Sequence, residues 1–225
     1  MKTRPHKTVQ ALNENAVVAL VQRGVVNDTF RRLSADKKQR IYQTAIDLFG
    51  KFGYDGLAVD QFCRVVGISK GSFFQYFPSK SHLLEFTILL FDNYLEKMFV
   101  EIRRTESGPL VRQKLSHLYD ALVVNSRLYP EEENFYLFAT QALKHSAITL
   151  HGIELERHIR GYVEKIIRRG EETGEIRGDF EVNMTGHLVS LIIGALVRST
   201  FQNEEISLRD IDKYLISFLF DGIKQ

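Results

Sequence analysis

Cysteine, proline and long apolar runs are scarce in this sequence. The single cysteine, Cys63, excludes an intrachain disulfide, and no Cys/His spacing suggests a zinc site. We interpret Cys63 as a small core residue, with a redox sensor as the alternative. His151 and His158 are two turns apart, too far for an i,i+4 metal pair. We therefore expect no metal ligands and no cofactor.

Membrane-spanning and catalytic motifs are also missing. The longest apolar run, 188–197, is far short of a membrane span, and Gln22 and Arg23 interrupt the apolar stretch near the N-terminus. We expect a cytoplasmic protein with no membrane partner. No phosphate-binding glycine loop, nucleophile motif or HExxH pair is present, so we expect no catalytic residues and no enzyme activity.

The charge is unevenly distributed. Residues 1–80 contain 13 Lys/Arg and six Asp/Glu, a net charge of +7, whereas residues 81–225 have a net charge of −5. A basic end on a mildly acidic body suits an anionic partner that binds one end only. Chance clustering is the alternative that charge alone leaves open.

Two short helices joined by a glycine turn are predicted where this basic region ends. The first covers 59–66, Gly67 ends it in a left-handed conformation, and Ser69 is suited to cap the second, at 70–77, which Pro78 ends. The apolar face of the first helix consists of Val59, Phe62, Val65 and Val66. This is the helix-turn-helix pattern, whose second helix enters the DNA major groove.

Longer helices are predicted on both sides of this pair. Ser34 is suited to cap a helix over 35–52, which Gly53 ends, and Ser79 to cap a helix that continues to about residue 104. The inner face of the earlier helix is predicted to contain Ile41, Ala45, Leu48, Phe49 and Phe52.

From Ser34 to about Leu84, the sequence resembles the DNA-binding domain of the TetR (tetracycline-repressor-type) transcriptional regulators. The resemblance is carried by an ordered set: the Phe49/Phe52/Gly53 helix end, the Gly67–Gly71 turn, Tyr76-Phe77, and Ser79-Lys80 opening a long helix. It implies an all-α fold. We expect a DNA-binding domain at 34–80 and a larger helical ligand-binding and dimerisation domain at 81–225.

Residues 1–33 precede this resemblance. They begin with Lys2, Arg4 and Lys7, and apolar residues then recur at helical spacing up to Gly24. We favour an extra helix packed on the DNA-binding domain. A mobile basic arm that attracts phosphates non-specifically is the alternative.

Candidate DNA contacts cluster on the second short helix. Gln75 can donate to and accept from adenine, Lys70 can reach guanine or phosphate, and Gly71 permits close approach. Phe73 is expected either to touch a thymine methyl or to pack inward. The resemblance adds a Tyr76 ring against the DNA backbone and a phosphate-contacting Lys80. The predicted DNA-binding residues are Ser69, Lys70, Gly71, Ser72, Phe73, Gln75, Tyr76 and Lys80.

Two positions depart from the family pattern. A Thr or Ser usually opens the first short helix, where this chain has Leu57-Ala58, and a Tyr often stands where this chain has Phe74. Both changes remove a hydroxyl that would contact phosphate.

The remaining sequence predicts helices at 110–128, 131–145, 148–173, 182–201 and 207–223. Six aromatic residues, together with Met98 and Gln141, are candidates for the pocket of an unknown, largely apolar small-molecule effector, with core packing as the competing role. The aromatic candidates are Phe91, Tyr94, Tyr119, Phe135, Tyr136 and Phe138. The last two helices carry an apolar excess that predicts a homodimer interface at Leu188, Leu191, Ile192, Ala195, Leu196, Phe201, Ile211, Leu215, Phe218 and Leu219. Burial within one chain is the alternative.

These features together predict a ligand-responsive transcriptional regulator, a repressor that binds palindromic double-stranded operator DNA as a homodimer. The alternative function is an all-helical ligand-binding or interaction protein that has lost DNA binding, motivated by the two missing hydroxyls.

Overall fold

A computed structural model describes residues 14–106, 108–145, 155–179 and 181–202, and every regular element in those ranges is an α-helix. This confirms the all-α fold. The helices are α1 (Glu14–Gln22), α2 (Asp28–Arg31), α3 (Ala35–Gly56), α4 (Val59–Val66), α5 (Lys70–Tyr76), α6 (Lys80–Arg104), α7 (Val111–Leu128), α8 (Pro130–His145), α9 (Leu155–Glu172) and α10 (Val182–Gln202). The predicted helix at 207–223 lies outside the described residues.

The chain forms two compact units. Unit 1 contains residues 1–94 and 131–153, and unit 2 contains residues 95–130 and 154–225. Unit 1 therefore includes α8 and the first part of α6 beside the helix-turn-helix. The sequence-based boundary at residue 80 follows the resemblance and stays a prediction.

The local signals that were read from the sequence define the helix-turn-helix. The Ser34 hydroxyl accepts from the amide of Lys37 at 3.3 Å, and Gly53 (φ 68°) interrupts α3 at the expected position. Gly67 (φ 76°) ends α4, and the Ser69 hydroxyl accepts from the amide of Ser72 at 3.0 Å at the start of α5. Only glycine adopts positive φ without strain, so both breaks are encoded locally.

Two predicted core positions are wrong. Val65 is 57% exposed and Phe52 is 38% exposed. The inner face of α4 consists of Phe62, Cys63 and Val66 instead, because its apolar stripe turns toward α5.

Burial raises the pKa of the Cys63 thiol, so the thiol stays protonated at neutral pH, as expected of a core cysteine.

The extension is folded over residues 14–33. Its buried side chains, which are all apolar, are Val17, Leu20, Val25, Val26 and Phe30. The Arg23 guanidinium lies 3.8 Å from the Glu85 carboxylate of α6, and the Lys38 ammonium of α3 donates to the Arg31 carbonyl at 2.8 Å. Residues 14–33 are therefore part of unit 1, whereas the basic residues Lys2, Arg4 and Lys7 lie outside the described residues.

A chain of aromatic rings joins α6, α8 and α3 within unit 1. The Phe91 ring centroid lies 5.2 Å from that of Phe135, and Phe138 stacks on Phe49 at 5.9 Å. The backbones of α3 and α8 also meet, because a Cβ placed on Gly50 would lie 2.9 Å from the Phe135 nitrogen. α8 is thus fixed to α3, the helix that precedes the helix-turn-helix.

Unit 2 is built on α7, α9 and α10. The Glu175 carboxylate accepts from the Val111 amide at 3.0 Å and caps the start of α7, and Tyr162 donates to Glu106 at 3.1 Å. α10 buries Val189, Ile193 and Val197 on one face.

In the described residues α10 is the one helix that could cross a membrane by length and composition, a test that core helices of soluble proteins also pass.

Candidate nucleic-acid interface

The outward face of α5 carries most of the predicted DNA contacts. Ser69, Lys70, Gly71 and Gln75 are exposed, and Ser72 is half-buried with its hydroxyl 2.9 Å from that of Ser69. A Cβ on Gly71 would meet only the Ser69 hydroxyl, at 3.8 Å. Packing among the described residues does not require a glycine at this position, and close approach to DNA at Gly71 stays a prediction.

Phe73 does not belong to this surface. Its side chain is fully buried, with ring centroids 5.8 Å from Phe62 and 5.6 Å from Phe77. The expectation that Phe73 touches a thymine methyl is therefore corrected: the ring packs inward, because α5 must bury one face on α4. The neighbouring Phe74 is 47% exposed and is the aromatic side chain of α5 that faces solvent.

Tyr76 is almost fully buried, and its hydroxyl is bonded to a lysine of α3. The side chain is 7% exposed, and the Lys37 ammonium donates to its phenolic oxygen at 3.3 Å and lies 5.6 Å from the ring centroid. Lys37 and Tyr76 form a pair that can hold one phosphate oxygen by charge and hydrogen bonding. In the sequence, Lys37 is equally compatible with a phosphate contact and with a solvated helix face, and only the fold brings it beside Tyr76.

Lys80 closes the end of α3. Its ammonium donates to the carbonyls of Tyr54, at 2.6 Å, and Leu57, at 3.0 Å, and lies 4.3 Å from the centroid of the Tyr54 ring. An ammonium has three donors, so one hydrogen remains for another acceptor. A phosphate contact from Lys80 stays a prediction, and its substitution would disturb α3 as well.

Both departures from the family pattern are visible in the geometry. Ala58 is the N-cap of α4 and makes no side-chain capping bond. Phe74 presents a ring without a hydroxyl to solvent.

An acidic side chain borders the candidate interface. The Asp60 carboxylate lies 3.1 Å from the Lys70 ammonium, and both side chains are more than half exposed. An exposed pair adds about 0–1 kcal/mol to stability, but this carboxylate offsets the charge that Lys70 would offer to DNA.

We expect Asp60→Asn to strengthen DNA binding several-fold at low salt on any sequence, because it frees Lys70 and removes repulsion of phosphate. The gain should fall as salt rises, and fluorescence anisotropy with operator and scrambled DNA measures it. Asp28→Asn is the matched control, because it also removes an exposed carboxylate that pairs with a basic side chain, that of Arg32 at 3.2 Å. Equal affinities for Asp60→Asn and wild type would place Asp60 outside the interface.

The effector candidates are divided between the units. Phe91, Phe135 and Tyr136 are buried in unit 1, with Tyr94 and Phe138 half-buried beside them, whereas Tyr119 is buried and Met98 half-buried in unit 2. The side chain of Gln141 lies outside the described residues. These residues contribute to cores, and their part in a ligand pocket stays a prediction.

Buried polar residues on α3 and α8 were missed by sequence reasoning. Glu132 and Glu133 are 3% and 8% exposed, and Tyr42 is 2% exposed. Burial, and then the charge of Glu132, raise the pKa of the Tyr42 hydroxyl well above its usual range, so this phenol stays neutral. The acidic run 131–133 resembles a solvated first turn in sequence, whereas the fold buries Glu132 and Glu133 and places Glu132 beside Tyr42 of α3.

The dimer candidates form a stripe on α10. Leu188 and Leu191 are 52% and 37% exposed, Ala195 is exposed, and Ile192 and Leu196 are half-buried. The other predicted interface side chains, those of Phe201, Ile211, Leu215, Phe218 and Leu219, lie outside the described residues.

No group of three or more His, Cys, Asp or Glu able to hold a metal occurs in the part of the chain that was described.

Comparisons with known proteins agree with this geometry. The family "Bacterial regulatory proteins, tetR family" matches residues 41–86. The uncharacterized HTH-type transcriptional regulator YuxN of Bacillus subtilis (strain 168) is 31% identical over 93 residues, covering 39% of this chain and 31% of YuxN. IcaR, the HTH-type negative transcriptional regulator of the biofilm operon icaADBC in Staphylococcus aureus (strain Newman), is 33% identical over 63 residues, covering 28% of this chain and 34% of IcaR.

A solved structure extends the likeness to the whole fold. The transcriptional regulator FadR from Bacillus subtilis, in complex with stearoyl-CoA, superposes with a TM-score of 0.64 at 18% identity, covering 83% of this chain and 99% of FadR. Residues 41–86 of this chain match the tetR family model, and within that segment α4 and α5 form a helix-turn-helix with one face of α5 exposed. The sequence matches of the chain span about a third of the length of YuxN and IcaR.

Proposed function

We propose that the protein is a cytoplasmic, ligand-responsive repressor that binds a palindromic operator as a homodimer. The observation that carries this proposal is the polarity of α5: its aromatic inner face is buried, whereas Lys70, Gly71 and Gln75 face solvent, within residues 1–80, which have a net charge of +7. Two such helices, about 34–36 Å apart in a dimer, would enter successive major grooves. The match to the negative regulator IcaR over 63 residues supports repression.

Gln75 is the side chain that we assign to base reading. A glutamine amide pairs with adenine N6 and N7, so we expect Gln75→Ala to lose about 1–3 kcal/mol on the operator and to relax preference at one position per half-site. The operator is first selected from a random DNA pool, and anisotropy then gives affinities for operator and scrambled DNA at one salt concentration.

Gln22→Ala, an exposed glutamine of α1, is the matched control and should bind both DNAs like wild type. Equal losses of Gln75→Ala on the operator and on scrambled DNA would contradict base reading. A wild-type protein that selects no sequence would overturn operator recognition itself and favour the ligand-binding alternative.

The effector that we propose is a small molecule with a largely apolar body. Its support is the aromatic set of α6 and α8, in which the Phe135 ring contacts those of Phe91 and Phe138, and the stearoyl-CoA complex of FadR. Coupling is reciprocal, so operator DNA must weaken effector binding by the factor by which effector weakens DNA binding. A thermal-shift screen of acyl and other apolar compounds, followed by calorimetry with and without operator, tests this.

A further inference from the structure

The last turn of α5 is held by the extension. α5 has seven residues, and a helix this short has little stability of its own. Its final four carbonyls lack partners within the helix. The Phe73 carbonyl accepts from the Phe77 amide at 2.8 Å, which leaves the carbonyls of Phe74, Gln75 and Tyr76.

Each of these three carbonyls accepts a hydrogen bond from α2 or the residue before it. The Asn27 amide donates to the Tyr76 carbonyl at 2.8 Å, and the Asn27 side-chain nitrogen donates to the Phe74 carbonyl at 3.2 Å. The Thr29 hydroxyl donates to the Gln75 carbonyl. The three carbonyls that Phe77 leaves without a partner are thereby satisfied from outside the helix-turn-helix.

Phe30 anchors this arrangement in the core. It is fully buried, with ring centroids 5.4 Å from Phe77 and 5.1 Å from Phe86. The three residues Asn27, Thr29 and Phe30 carry no charge, so their contacts with α5 add nothing to phosphate attraction. What they fix is the backbone from which Gln75 projects.

We propose that Asn27 and Thr29 are positioning residues that orient Gln75, so that the extension sets sequence selectivity rather than general affinity for DNA. This inference rests on the proposed DNA-binding function. Base reading needs two hydrogen bonds in a fixed plane, and a frayed last turn would let the Gln75 amide leave that plane. Phosphate attraction tolerates such motion because it depends on charge more than on angle.

The test compares wild type with Asn27→Ala/Thr29→Val and with Thr29→Ser, all in the full chain and well below the unfolding midpoint. The double variant loses the side-chain bonds to the Phe74 and Gln75 carbonyls, so we expect it to lose about tenfold in operator affinity and little on scrambled DNA. Thr29→Ser keeps the hydroxyl and should keep selectivity. Equal losses of the double variant on both DNAs, or an unchanged operator affinity, would overturn the proposal.

Hydrogen exchange of the free protein separates this inference from the proposed function. In the double variant the amides of the last turn of α5 should exchange about tenfold faster, with those of α3 unchanged. Unchanged exchange in α5 overturns the positioning role whatever the DNA results. Faster exchange in a protein whose wild type selects no sequence overturns the proposed function instead.

Discussion

Leu188→Glu combined with Leu191→Glu is expected to convert the protein into folded monomers. Both side chains point away from the core of unit 2, so the monomer tolerates the change. In a two-fold interface, the introduced carboxylates of both subunits would be desolvated against the partner, at an effective cost of several kcal/mol per ion. Sedimentation equilibrium measures the mass, and circular dichroism checks that helicity is retained.

The affinity for operator DNA should fall when dimerisation is lost. Two linked recognition helices gain about 10²–10⁴ in avidity over one, and a monomer forfeits this factor. Leu128→Glu is the matched control, because Leu128 is 66% exposed on α7 of the same unit. It should remain dimeric and keep its operator affinity. A dimeric Leu188→Glu/Leu191→Glu protein would place the interface on another surface.

Gly50→Ala is expected to destabilise unit 1, against the usual sign of such a change. Alanine in place of glycine normally stabilises a helix interior by about 0.5–1 kcal/mol. Here the new methyl would lie 2.9 Å from the Phe135 nitrogen and 3.2 Å from the Asn134 carbonyl carbon, both backbone atoms. Overpacking of this kind costs about 1–3 kcal/mol. Thermal unfolding followed by circular dichroism should show a midpoint about 2–10 °C lower.

Gly71→Ala provides the matched control for this prediction. Gly71 also lies within a helix, but its added methyl meets only the Ser69 hydroxyl at 3.8 Å, so the midpoint should be unchanged or higher. If Gly50→Ala unfolds at the wild-type temperature, α8 moves away from α3 at little cost. The contact would then be too weak to transmit a change in α8 to the DNA-binding helices.

The helix-turn-helix was predictable because its signals are local. A serine hydroxyl caps an amide three residues ahead, and a positive φ favours glycine whatever surrounds it. Ser34, Gly53, Gly67 and Ser69 therefore mark the ends of α3, α4 and α5 in the sequence itself. The face of α4 was predictable only in part, because apolar spacing fits both Cys63 and Val65, and packing on α5 selects Cys63.

The candidate site was less predictable, because its contacts join residues far apart in the chain. Thr29 and Gln75 are 46 positions apart, and Lys37 and Tyr76 are 39 apart. A lysine in the first turn of a long helix, or a threonine in an extension, carries no sequence pattern that identifies its partner. The same holds for Gly50, which resembles any helical glycine until α8 is packed on it.

The sequence by itself determined the helical class, the caps and breaks of the helix-turn-helix, and the family resemblance, because these depend on residues within a few positions of one another. The tertiary structure decided that Phe73 is core, that Lys80 closes α3, and that the extension holds the last turn of α5. Those roles depend on which carbonyls and rings lie within a few ångströms, and that proximity exists only once the helices have packed.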